Sequence, residues 1–129
     1  MKKDIDFSPV KKVHVVVAKT DEGWKVFIIN RNQEKLENVM ITSKGYGEKN
    51  KEQQKTSVLR HMIPYLETGM YALVEPIDES VFHLTNEYWV SYFIGQQVYD
   101  KKFIFVPETI IEDNLIFIEE LGMKGILHD

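Results

Sequence analysis

The residues that could do chemistry are few and lie far apart in the sequence. The four histidines are His14, His61, His83 and His128, and none lies three or four positions from another. A metal site would therefore need ligands that converge from distant segments. The serines lie outside any Gly-x-Ser-x-Gly pattern, and the absence of cysteine excludes disulfides, thiolate metal sites and cysteine nucleophiles. We predict no catalytic residue, no metal site and no cofactor.

The segment Gly45-Tyr46-Gly47 is too short for a phosphate-binding loop. Such loops need further glycines, or a Gly-Lys-Ser/Thr ending, before the N-terminus of a helix. We predict instead a bend that presents Tyr46 to a partner. Adjacent carboxylates such as Glu119-Glu120 point to opposite faces of a strand, so they predict no paired acid–base site.

The segment from Asn86 to Pro107 has the most informative pattern in the chain. Two runs of aromatic and β-branched residues flank Gly95-Gln96-Gln97, which predicts a β-hairpin. Tyr88 and Tyr92 face one way, and Trp89 and Phe93 face the other, so both faces of the hairpin are aromatic. One face must belong to the core, and the other is covered by the C-terminal tail or binds a partner. The candidate partner-binding residues are Tyr46, Trp89, Tyr92 and Tyr99.

Short strand-like runs recur along the rest of the chain. They lie within residues 10–20, 24–30, 36–43, 57–63 and 70–75, and with the hairpin they make about seven strands at a spacing of roughly 8–12 residues. This spacing predicts an all-β domain, with an immunoglobulin-like antiparallel β-sandwich as the first choice and a small closed barrel as the second. Asp78 is placed to cap one helical turn, and the polar stretch from residue 44 to 56 predicts a mobile loop.

Three segments follow from this pattern. Residues 1–9 form an N-terminal lead-in, residues 10–107 form the sandwich, and residues 108–129 form an extended C-terminal tail with a short helical turn near Pro107. The tail carries apolar residues, including Leu115, Phe117 and Leu121, so it packs on its own domain or covers a partner. We expect packing on the domain, because that covers an edge of the sandwich.

Composition sets the class of protein. A chain of 129 residues with 43% hydrophobic residues is one globular domain. Its formal charge of −4, with only Arg31 and Arg60 as arginines, gives no field for nucleic acid, so we expect no nucleic-acid partner. The sequence shows neither a signal peptide nor a membrane span, which predicts a cytoplasmic protein with no membrane association.

Three stretches carry a resemblance. Val39–Gly47, Asn86–Tyr92 and Tyr99–Pro107 resemble a small family of uncharacterised bacterial proteins of about this length. Some members of that family carry the label phenylalanyl-tRNA synthetase alpha subunit. A class II synthetase domain is far larger and needs an arginine-bearing motif for ATP, so we carry no catalytic residue over and predict no synthetase activity.

These observations favour a non-catalytic binding or interaction module with a protein partner. Self-association is open too, because an uncovered edge strand can pair across a twofold axis as a homodimer. One alternative is an accessory factor in translation or RNA handling. A further alternative is a small-pocket enzyme, which scattered Asp, Glu, His and Tyr side chains converging in one cleft would support.

Overall fold

The computed structural model describes residues 9–129, so the predicted lead-in, except Pro9, lies outside the described residues. The described part contains ten β-strands and two short 3₁₀ turns, at Glu79–Val81 and Glu112–Asn114. The strands are β1 Val13–Thr20, β2 Gly23–Asn30, β3 Leu36–Lys49, β4 Glu52–Lys55, β5 Leu59–Leu66, β6 Tyr71–Ile77, β7 Thr85–Ile94, β8 Gln97–Phe105, β9 Ile116–Ile118 and β10 Met123–His128.

The strands form two antiparallel sheets in a sandwich-like arrangement. The first sheet has the order β6-β2-β1-β10-β9, and the second has the order β4-β3-β7-β8, with β5 pairing along the first half of β3. The prediction of an all-β sandwich is therefore confirmed, and the closed barrel is wrong, because the strands divide between two sheets. The immunoglobulin-like topology stays a prediction.

The core lies between the sheets and is built by the alternation that the sequence showed. Val13, Val15 and Val17 of β1 face Tyr88 and Tyr92 of β7, and all are 2% exposed or less. Their neighbours along β7 point away from this core, because successive side chains of a strand alternate between its two faces. The aromatic hairpin therefore has an inner tyrosine face and an outer face that carries Trp89.

The polar stretch after Ser43 forms two paired strands and not the mobile loop that the sequence predicted. β3 continues to Lys49 and pairs with β4 around a turn at Asn50 and Lys51, which have φ angles of 53° and 66°. Positive φ at both turn residues is the geometry of a type I′ hairpin, which asparagine favours. The sequence looked like a loop because all four residues of β4 are exposed.

The predicted helical turn after Asp78 is confirmed as the first 3₁₀ turn. The Asp78 carboxylate accepts a hydrogen bond of 2.8 Å from the Ser80 amide. This is the capping interaction expected of an aspartate at the start of a helical turn. The hydrogen bonds that this carboxylate accepts from the backbone amide and then the side chain of Ser80 lower the pKa of Asp78.

The last 22 residues contribute two strands, β9 and β10, to the first sheet. β10 pairs with β1, so that Val15 lies opposite His128 and Val17 opposite Ile126. The turn after β9 covers the outer side of the sheet, where Ile118 and Leu121 pack with Val16 and Phe27 in a second core. Arg31 fixes this turn, since its guanidinium donates two hydrogen bonds of 2.7 and 3.0 Å to Glu120 and holds the pKa of that carboxyl low.

Ile118 and Phe117 provide a matched test of this second core. Ile118 is fully buried, whereas its neighbour Phe117 is 63% exposed. We expect Ile118→Ala to lower the free energy of unfolding by about 2–5 kcal/mol, because it leaves a cavity. Phe117→Ala should change it by no more than about 0.5 kcal/mol. Urea unfolding followed by circular dichroism measures both, and equal losses would contradict the assignment of Ile118 to a core.

Candidate functional site

The outer side of the second sheet carries a group of exposed apolar side chains. We call this group the Trp89 face, and its members are Met40, Met62, Tyr65, Trp89 and Phe93. Their exposed fractions run from 38% for Phe93 to 61% for Met62. Strand pairing places them side by side, because Met40 lies opposite Met62, and Glu37 lies between Tyr65 and Phe93.

Trp89 is held in one position by two charged residues of β8. Its indole Nε1 donates a hydrogen bond to the Asp100 carboxylate, and the Lys102 ammonium lies 5.0 Å from the ring centroid. A cation over an aromatic face is attracted by the ring electrons. The ring is therefore ordered before any partner arrives, which reduces the entropy lost on binding.

A shallow groove of about 350 Å³ lies beside the indole ring. Its floor is made by the small side chains Thr42 and Ser91, and its sides by Met40, Val98 and Asp100. Methionine adapts its shape to different partners, whereas a fixed tryptophan presents a rigid surface. The groove can receive an apolar side chain that packs against both.

Charges of both signs surround the Trp89 face. Arg60 of β5 and Trp89 of β7 both pair with Thr42, which lies between them on β3. The Lys35 ammonium lies 5.5 Å from the Tyr65 ring centroid. Asp100 supplies negative charge within the same area. The surface therefore has no single sign that would select a polyanion.

The four sequence-predicted residues separate in the structure. Trp89 is exposed, but Tyr92 is fully buried and its ring stacks on Tyr99 at a centroid distance of 5.1 Å. Within residues 9–129 the Tyr92 hydroxyl has no hydrogen-bond partner, and burial raises its pKa. Of the three predicted hairpin residues, Trp89 is therefore the one that is exposed, whereas Tyr99 is half-buried.

Tyr46 lies on the outer side of the same sheet, beyond Trp89, and is occupied by its own neighbours. Its hydroxyl donates a hydrogen bond of 3.2 Å to Glu87, and the Lys44 ammonium lies 5.7 Å from its ring centroid. Burial, and then the Glu87 charge, raise the pKa of Tyr46. The residue is half-buried, and its ring remains at the margin of the Trp89 face.

A polar cluster lies in a cleft between the two sheets, and the sequence did not reveal it. Glu75 of β6 is its centre, with only 11% of its side chain exposed. One oxygen, Oε1, accepts a hydrogen bond of 2.8 Å from the Ser43 hydroxyl and lies 2.6 Å from His61 Nε2. The other oxygen accepts a bond of 3.3 Å from the Tyr88 hydroxyl. The cleft has a volume of about 310 Å³.

This cluster does not have the arrangement of a serine hydrolase. Ser43 donates a hydrogen bond to Glu75, whereas the serine of a Ser-His-Asp triad donates to a histidine that acts as its base. The Glu75 carboxylate lines the cleft, where it can accept a hydrogen bond from a ligand. The four residues come from four strands, so no local motif links them.

The Glu75 carboxylate also affects Tyr88. Burial is the main cause that raises the pKa of the Tyr88 hydroxyl, and the neighbouring Glu75 charge adds to it. The folded protein therefore keeps Tyr88 protonated at pH values where an unfolded tyrosine would ionise.

The described residues hold no group of three or more His, Asp or Glu side chains that could bind a metal ion. No helix in this part of the chain is long and apolar enough to span a membrane. A comparison with known proteins adds no relative: no family model matches the chain, and no curated protein or solved structure gives a match.

The raised pKa of Tyr88 predicts a dependence of stability on alkaline pH. The contribution of Tyr88 to the free energy of unfolding is fully present below the pKa of an unfolded tyrosine, about 10. It is lost as pH rises toward the higher pKa of the folded state. We expect the free energy of unfolding to fall between about pH 8 and about pH 11, and to fall less in Tyr88→Phe. Urea unfolding at both values measures this, and parallel losses in the two proteins would contradict it.

Proposed function

We propose that this protein is a non-catalytic binding module that recognises a protein partner through the Trp89 face. The proposal rests on Trp89, which is 44% exposed although its ring is held by contacts with Asp100 and Lys102. Tryptophans that are fixed and accessible are enriched among the residues that dominate binding energy at protein interfaces.

The surroundings of Trp89 support a protein partner over RNA. Single-stranded RNA is bound by aromatic side chains inside a strongly basic surround. Here Arg60 and Lys102 are accompanied by Glu37 and Asp100, and two methionines lie between the aromatic residues. Mixed charge around apolar anchors is typical of the rim and centre of a protein interface. The partner surface expected is apolar, with one side chain that enters the groove beside the indole.

We expect Trp89→Ala to weaken partner binding by roughly thirtyfold, which is the loss from one dominant interface residue of about 2 kcal/mol. The experiment is affinity capture of the tagged protein from its source cells, followed by mass spectrometry and by titration of the purified partner. Met62→Ser, at the other side of the face, should weaken binding as well.

Phe117→Ala is the matched control, because Phe117 is an exposed aromatic residue of the first sheet. It should leave capture unchanged, and circular dichroism should show that all three variants are folded. Capture that is equal for wild type and Trp89→Ala would overturn the proposal. Capture that is lost on nuclease treatment and with added salt would replace it with the RNA-handling alternative.

A second candidate function rests on the Glu75 cleft. A buried carboxylate that contacts a histidine, a serine and a tyrosine suits a small ligand with a positive charge or a hydrogen-bond donor. This cluster supports the small-pocket alternative in its binding form, because Ser43 donates its hydrogen bond to Glu75 and not to His61.

Thermal-shift screening with amines and polyols tests this second candidate. A ligand of the cleft should stabilise the wild type and bind Glu75→Gln at least about tenfold more weakly, because the variant loses the negative charge. Glu87→Gln is the control, since Glu87 lies outside the cleft and contacts Tyr46 and Lys44. A ligand that binds all three proteins equally would rule out the cleft as its site.

A further inference from the structure

Within residues 9–129, β8 is the longest edge strand of the sandwich. It pairs with β7 on one side and is the last strand of its sheet. The other edges carry features that block strand addition, because Pro64 interrupts β5 and Pro76 interrupts β6, while β4 and β9 have four and three residues. Prolines and short length are common protections of an edge. β8 has nine residues and no proline.

Within the described residues, the backbone groups of β8 that point away from β7 belong to alternate residues. Ile94 and Gln97 close the two-residue turn between β7 and β8, and the register continues without a bulge to Asn86 and Phe105. In such a ladder every second residue points its N–H and C=O groups away from the neighbouring strand. Those residues are Val98, Asp100, Lys102 and Ile104. The Val98 carbonyl already accepts a bond from the Gln97 side chain, 3.0 Å long.

The side chains of β8 form a pattern that is complementary to its own reverse. Lys101 is the central residue of the segment Val98-Tyr99-Asp100-Lys101-Lys102-Phe103-Ile104. The acid Asp100 lies on one side of it and the base Lys102 on the other. Beyond the charges, one aromatic residue and then one aliphatic residue follow in both directions. Two antiparallel copies of this strand therefore match apolar with apolar and acid with base.

We propose that a second copy of this chain pairs with β8 across a twofold axis at Lys101. Asp100 then lies opposite Lys102 of the second copy, and Val98 lies opposite Ile104 of the second copy. These are the residues whose backbone groups face outward, so the hydrogen-bonded pairs of the new ladder fall on them. Tyr99 lies opposite Phe103 of the second copy, on the inner side of the joined sheet.

The charges select this register over its neighbours. An axis at Asp100 or at Lys102 would also place two identical charges opposite each other, but without the two Asp100–Lys102 pairs that offset this repulsion in the proposed register. In the proposed register the like charges that lie opposite each other are those of the two Lys101 side chains. Each of them donates a hydrogen bond to the main-chain oxygen of Asp129 in its own chain.

The dimer joins two Trp89 faces into one continuous sheet surface. Asp100 and Lys102, which hold Trp89, also supply the charged pairs across the axis. The inference does not rest on the proposed function, because the edge can pair whether or not the Trp89 face binds a partner. Failure of the dimer leaves the capture experiment unaffected.

Sedimentation equilibrium from about 1 µM to 1 mM tests the dimer through charge exchange. The wild type should approach twice its mass of 15.2 kDa. Asp100→Lys and Lys102→Asp each turn two attractive pairs into repulsive ones, so each should weaken association by about tenfold or more. The double variant restores opposite charges and should recover association.

Cysteine cross-linking tests the register, since the natural chain has no cysteine. Lys101→Cys places two thiols directly opposite each other, at the short Cα distance of about 4.5 Å in a non-hydrogen-bonded pair. It should form a covalent dimer on mild oxidation. Lys102→Cys is the matched control, because its thiols are offset along the strands beyond disulfide reach, and it should stay reduced.

A wild-type protein that stays monomeric throughout this range would overturn the proposal and assign Lys101 and Lys102 to edge protection. Association that is equally strong in the wild type and in the charge-reversal variants would overturn it as well. Equal cross-linking in the two cysteine variants would do the same. Association that follows the charge exchange, with cross-linking at Lys101→Cys alone, would support it.

Discussion

The pairing of β1 with β2 on one side and β10 on the other is the constraint on which the rest of the sandwich depends. Val13, Val15 and Val17 face the core between the sheets, and Val16 and Ala18 face the second core under the β9–β10 turn. A strand buried on both faces must be paired on both edges, because unpaired backbone groups would be costly away from water. The first sheet is therefore complete only when β10 is in place.

Contacts at one rim of the sandwich tie the second sheet to the first. Glu75 belongs to β6 of the first sheet, and its three partners Ser43, His61 and Tyr88 belong to strands of the second. A buried carboxylate with satisfied hydrogen bonds fixes the position of its partners more strictly than apolar packing does. The same residue thus connects the sheets and gives the cleft its chemistry, whereas the Trp89 face lies on the opposite side of the second sheet.

Much of the fold could be predicted from sequence, because the strands alternate and their turns are marked by glycine, proline or acidic pairs. Alternation also showed that Trp89 and Tyr92 point in opposite directions, but it did not show which was buried, since both faces of the hairpin are aromatic. The hairpin after Ser43 was missed because its residues are solvent-exposed and therefore polar. The Glu75 cluster was missed for a different reason: residues 43, 61, 75 and 88 share no local pattern, and only strand pairing brings them together.

The place of β10 beside β1 has a consequence for how the protein is made. Val15 pairs with His128, which is more than a hundred positions later, so β1 must wait for a strand that is synthesised much later. Until Met123–His128 leave the ribosome, the edge of β1 and the side chains under Leu121 remain open to other chains. Late closure of this kind is slow and exposes a nascent chain to aggregation. Chaperone protection during synthesis should therefore matter most for the valine-rich first strand.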